Sequence, residues 1–306
     1  MPSPEHLVDE VMLAFRERLV GTLADMSAAR DAALFVDSER RVVALAREMA
    51  AELTRHVLQE ISDDKERRKE ALARVRSKAK RRGIEVRTER SRRTPIRTLG
   101  GQVVHVETSY ASSRPRGGRK LGTRGKDGTG VYPVLDQLGI VGRSTPALRL
   151  LVSRAVCEAN SVDSARDLLA EGGVVIDHKA ALRLTYLVTA DALRARADAM
   201  KSSASETPVM TGPFAGRRIV AAVDGGRIHI RRRVGGRPKK GGRKHFVTEW
   251  REPKVLTLYV LGEDGRRDKS IAPVIDGTLG GADAVFELLT YHLSRLGARP
   301  RPRRTG

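Results

Sequence analysis

This 306-residue chain is poor in cysteine, with one, in tryptophan, with one, in aromatics at 4%, and in acids relative to bases. Cys157 stands in an apolar helical pattern between Val156 and Glu158, so no disulfide can form within the chain and no cysteine-based zinc site can be built. Long hydrophobic runs are also missing. Runs such as 219–223 are far too short to cross a bilayer, and Met1-Pro2-Ser3-Pro4-Glu5 is no secretory signal, which predicts a cytoplasmic protein without a membrane partner. The shortage of rings counts against an RNA-binding protein that stacks bases on many aromatics.

Positive charge is what the chain has in excess. Lys and Arg total 58 against 37 Asp and Glu, a formal net charge of +21, and each phosphate neutralised by such a surface releases counterions. DNA is the expected partner. Arg outnumbers Lys 45 to 13, which suits bidentate phosphate and base contacts, although GC-rich coding gives the same bias. The length allows two domains, or one domain with appended helices.

The first 90 residues read as helices. Leu7, Val8, Val11, Met12, Phe15, Leu19 and Leu23 predict an amphipathic helix over about 4–25, and Val42, Leu45, Met49, Leu53, Val57 and Ile61 a second from near Ser38. These can pair within the chain or between protomers of a homo-oligomer. Beyond Ser62 a charged helix runs to Arg82, and ten of the 22 residues from 76 to 97 are basic, which fits a solvated helix and linker or a DNA-contacting arm.

Residues 91–143 read as a β-hairpin about Leu99-Gly100-Gly101-Gln102, then a mobile basic Gly-rich loop over 112–130. His105 is a strand histidine, not a ligand. Residues 144–198 read as helical: Thr145 caps a helix with Pro146 at its first position, Ser161 caps a short one, and a long one starts at Asp177. A helix-turn-helix would put His178, Lys179 and Arg183 on the leading face of the last helix, within reach of a major groove. The connection is longer than usual for that motif, so a plain helical hairpin fits as well. A Ser, Thr, Pro and Gly-rich linker follows over 199–215.

Residues 216–297 form the last domain, ahead of a Pro/Arg tail over 298–306. The run 219–223 predicts a central strand buried on both faces that ends in Asp224-Gly225-Gly226. Nine cations and no acid follow in 227–244: Arg227, Arg231, Arg232, Arg233, Arg237, Lys239, Lys240, Arg243 and Lys244. Gly236-Arg237-Pro238-Lys239-Lys240 fits an AT-hook core in a minor groove, or non-specific phosphate contact. Trp250 fits a packing anchor or a platform for an unpaired base. A strand over 255–261 and an amphipathic helix over 283–296 complete the pattern.

Taken in order, Val223-Asp224-Gly225-Gly226-Arg227, the Gly-Arg-Pro-Lys-Lys spacer, Trp250-Arg251-Glu252-Pro253-Lys254, Glu263-Asp264-Gly265 and the 281–289 segment resemble bacterial insertion-sequence transposases of the acidic-triad (DDE) class, Kra-type group. Gly101-Gln102-Val103 and the 132–140 segment resemble that family's lead-in, so the likeness spans roughly 90–297. It implies an α+β, multi-domain chain ending in a partial RNase H-like domain, whose first strand presents Asp224 as a metal-binding catalytic acid. In that class three carboxylates hold two Mg²⁺ ions for phosphodiester cleavage and strand transfer at element ends. The second and third acids follow the helix at 283–296, and this chain stops before both. Asp264, Asp268, Asp276 and Asp283 stand where the family has no catalytic residue. Relatives also carry a cysteine pair before the 132–140 segment, which is Gly, Arg and Lys here. The resemblance therefore implies a nucleoid-associated DNA-binding protein, a transposase without its full catalytic set or a stand-alone regulator of transposition.

Overall fold

The computed structural model describes residues 4–81, 84–115, 130–203, 211–233 and 246–298. The chain mixes helices with small antiparallel sheets and divides into two compact units, Met1–Asp191 and Ala192–Gly306. Among the described residues no helix is long and apolar enough to cross a membrane.

In the first unit α1 (Pro4–Ser27) and α2 (Ala32–Asp63) form a hairpin. Ion pairs Arg18–Glu48 at 2.7 Å and Arg41–Asp25 at 2.9 Å join residues whose numbers rise on one helix as they fall on the other, so the pair is antiparallel. The second helix starts earlier than its apolar stripe suggests. Asp31 is its N-cap, accepting from Leu34 N at 2.8 Å, whereas Ser38 is buried inside the helix. Asp64 accepts from the backbone N–H of Glu66 and Arg67 and starts α3 (Lys65–Arg81).

The hairpin is longer than expected. β1 (Ile84–Arg97) pairs along its length with β2 (Val103–Pro115), so 84–95 is strand where the charge pattern predicts helix and linker. Ile96, Val104 and Val106 bury against Ala51 and Leu58 of α2, with Leu135 and Ile140. The Gln59 side chain then takes both backbone groups of Glu107, donating to its C=O at 3.0 Å and accepting from its N–H at 2.8 Å. Gly101 makes the turn at φ +83°, and a side chain there would meet Gly173 O at 2.5 Å. The basic loop lies, from 116 to 129, outside the described residues, and its first residues continue β2.

β3 (Gly130–Val131) pairs with the far end of β2, and α4 (Pro133–Gln137) follows. Then come α5 (Pro146–Glu158), α6 (Val162–Glu171) and α7 (His178–Ser203). Ser161 caps α6, accepting from Ser164 N at 3.0 Å. Leu148 and Val152, Leu169, Val174 and Ile176, and Ala181 and Leu184 make one apolar cluster from the three helices and the connection. The last helix runs to Ser203, into the stretch read as linker; 204–210 lie outside the described residues.

The second unit holds β4 (Arg218–Gly225), β5 (Ile228–Arg233), β6 (Phe246–Arg251), β7 (Lys254–Leu261), β8 (Val274–Thr278) and α8 (Ala282–Arg295). Strands β4, β7 and β8 make an antiparallel sheet in that order, and β5 and β6 a separate ribbon. Leu256, Leu258 and Val260 line one face of β7 and pack against Leu288 of α8 and Phe214. The expectation of a central strand at 219–223 is corrected: β7 is central and β4 is an edge, with 221–226 exposed and Val223 at 52%. An apolar run carries no information on how many neighbours a strand has, and here it has one among the described residues. Neither β6 nor β8 was expected.

Candidate nucleic-acid interface

Several cations of the chain serve the fold. Arg97 donates to Val175 O from the end of β1, and Arg149 is 7% exposed, donating to Gly139 O at 2.7 Å and lying 3.5 Å from Asp191. In the second unit Arg196 donates to Asp276 Oδ1 and to Gly277 O at 3.0 Å. Arg92 lies over the Tyr110 ring at 4.2 Å. What remains exposed can meet a polyanion.

On α7 the buried face is Ala181, Leu184 and Thr185, and the opposite stripe carries Lys179, Arg183 and Tyr186, which is 66% exposed. Positions three and four apart share a helix face, so these three side chains form one patch. Neither Lys179 nor Arg183 makes an ion pair among the described residues. His178 is different. Its Nδ1 donates to Asp163 Oδ1 at 3.2 Å, and Arg166 meets the same carboxylate at 2.9 Å. The His178 hydrogen bond, then that of Arg166, holds the Asp163 carboxyl below its usual pKa. Asp177 caps α7, and the backbone N–H of Ala180 lowers its carboxyl in the same way.

In the second unit Asp224 sits at the end of the edge strand, opposite Val255, exposed, with Oδ1 accepting from Gly225 N at 2.8 Å. Glu252 is a neighbour the sequence reading passed over: its Oε1 would be 3.3 Å from a side chain on Gly225, and its Oε2 pairs with Lys254 Nζ at 3.3 Å. Asp276, one of the acids that the resemblance leaves without a catalytic role, is a strand residue. It lies within β8, and its Oδ2 accepts from His292 Nε2 at 2.9 Å while Arg196 holds Oδ1. Burial raises its pKa, but His292, the Gly277 N–H and Arg196 outweigh that and hold the carboxyl below its ordinary value. Asp268 accepts from Ser270 N at 2.9 Å and Ser270 Oγ at 2.6 Å, and its second oxygen lies 3.5 Å from the Arg217 guanidinium. Among the described residues no three His, Cys, Asp or Glu side chains come together as metal ligands.

Arg227, Arg231 and Arg232 are exposed and form no ion pair among the described residues. Arg233 ends β5. Arg237, Lys239, Lys240, Arg243 and Lys244, with the AT-hook-like segment, lie outside the described residues, as do 299–306 of the tail. Of the two readings of Trp250 the packing anchor does not hold: the residue is 65% exposed and stacks on His229, with ring centroids 4.6 Å apart and planes at 18°. A cavity of about 610 Å³ lies elsewhere, on α8 and the end of α7; Asp283 and Glu287 in its wall repel phosphate. No family model, no curated protein and no solved structure matches the chain.

Proposed function

We propose that this chain is a DNA-binding protein of the acidic-triad transposase class that holds DNA through its exposed cations and, acting alone, neither cuts nor joins it. The observation that carries this reading is the division of the positive charge. Arg97, Arg149 and Arg196 are taken up by carbonyls and carboxylates, while Lys179, Arg183, Arg227, Arg231 and Arg232 stand exposed and make no ion pair within 4.0 Å among the described residues, Arg183 acting on Asp177 only through its field. A folded chain that leaves cations on one helix face and along 227–232 presents phosphate-binding surfaces.

The remaining features support the class. Helices α6 and α7, joined by the six residues 172–177, offer the Lys179, Arg183 and Tyr186 stripe to a major groove in the manner of a helix-turn-helix. Three antiparallel strands followed by α8, with Asp224 near the end of the first, are compatible with the opening of an RNase H-like domain and support that reading. The two Mg²⁺ ions of that chemistry do not fit the described residues: Asp224 is exposed, its Oδ1 accepts from its own turn, and no set of three ligands gathers.

The test is fluorescence anisotropy with a labelled duplex. The logarithm of the affinity is expected to fall linearly with log salt between about 50 and 200 mM, and Lys179→Glu with Arg183→Glu to weaken binding further. Absence of binding at the lowest salt overturns the reading. So does Mg²⁺-dependent nicking by the purified chain that Asp224→Ala abolishes, which would restore a catalytic role.

A further inference from the structure

The ribbon of β5 and β6 is its own two-stranded sheet, apart from the sheet of β4, β7 and β8. Its register pairs His229 with Trp250, Arg231 with Thr248 and Arg233 with Phe246, while Ile228, Ile230 and Arg232 face Arg251, Glu249 and Val247. Side chains alternate across a strand, so the two faces differ in chemistry. One carries His229, Arg231, Phe246, Thr248 and Trp250. The other carries the only acid of the ribbon, Glu249, and neutralises it locally through Arg251 at 3.0 Å.

The aromatic face is thus free of carboxylates, and its rings are uncovered: Trp250 is 65% and Phe246 54% exposed, and His229 is exposed too. The imidazole lies against one side of the indole at 4.6 Å, almost parallel. That contact holds the indole in place while 65% of the residue stays exposed, so little ordering is required when a flat partner arrives. Arg231 is the next residue along that face.

We infer that this ribbon face binds unpaired DNA, one base stacking on Trp250 and the strand's phosphates meeting Arg231. Charge complementarity excludes an acid-free, cationic face as a site for another basic surface such as a second copy of this chain. Duplex DNA is the poorer fit. Its bases cover one another's faces and show only edges, which are read by hydrogen-bonding side chains, whereas this face offers rings with Arg231 and Thr248. The inference rests on the DNA-binding reading above and narrows the form of DNA at this surface.

Trp250 is the chain's only tryptophan, so its emission reports this site alone. The full chain is titrated with oligothymidylate of about 16 nucleotides, a size one such site can span, and with a duplex of equal length. The single strand is expected to quench the emission to saturation and the duplex to leave it nearly unchanged. By anisotropy, Trp250→Ala is expected to lower single-strand affinity about tenfold with duplex affinity retained, and Trp250→Phe to recover most of it. Arg231→Gln keeps the rings and is expected to flatten the salt dependence. Equal quenching by duplex, or unaltered single-strand affinity in Trp250→Ala, overturns the inference. Tighter binding of oligouridylate than of oligothymidylate overturns its assignment to DNA. Duplex binding without any single-strand binding sinks the ribbon site alone; failure of both sinks the DNA-binding reading with it.

Discussion

The two edges of one small sheet treat a carboxylate in opposite ways. On β8, Asp276 is held from both sides by Arg196 of α7 and His292 of α8, and so fastens two helices to the sheet. On β4, Asp224 is exposed, and among the described residues it accepts only from the N–H of its neighbour Gly225. The difference separates charge that builds the fold from charge that is left for something outside it. It also warns against reading an aspartate's role from its place at a strand end, since the acid with the stronger environment is the one with a structural task.

Perturbing the packed side of this sheet gives the largest effect. Leu258→Ala, fully buried on β7, is expected to cost about 3 kcal/mol in chemical denaturation, whereas Val223→Ala on the open edge costs less than about 1 kcal/mol. Next comes the clamp. Asp276→Ala leaves Arg196 and His292 without their partner, and the partial exposure of Arg196 reduces the cost of a broken pair to about 2 kcal/mol, readable as a lower calorimetric midpoint. The same clamp sets an acid dependence. Because its folded pKa is depressed, Asp276 contributes stability above the ordinary carboxylate range, and that stability is lost as pH falls through the lowered value; Asp276→Asn is expected to flatten the acid limb of the unfolding midpoint. At the open edge, Asp224→Ala is expected to change stability by no more than about 0.5 kcal/mol. A large loss there would erase the contrast.

Where local chemistry decides an element, the sequence was readable. Ser161 caps its helix, Asp177 precedes α7, the Leu99 to Gln102 turn closes a hairpin, and the apolar positions of 283–296 become α8. Elements decided by partners elsewhere were not. The strand 84–95 looks like a solvated linker because it carries alternating cations, and only its pairing with β2 and the cation–π contact of Arg92 with Tyr110 make it a strand. The register that sets Trp250 beside His229 depends on how two segments 21 residues apart align, which no local pattern records. At the candidate site the exposed cations of α7 and β5 follow from periodicity and composition, but the capture of Asp276, and of His178 by Asp163, depends on contacts made after folding.

The open side of β4 has a further consequence for handling the protein. A strand whose outer N–H and C=O groups pair with nothing described, next to an exposed Val223, is a template for edge-to-edge self-association. Mutual repulsion from a net charge of +21 opposes such contact at low ionic strength, and salt weakens that repulsion. Concentrated samples in high salt are therefore where light scattering should first register aggregation, and a lysine in place of Val223 is the simplest guard against it.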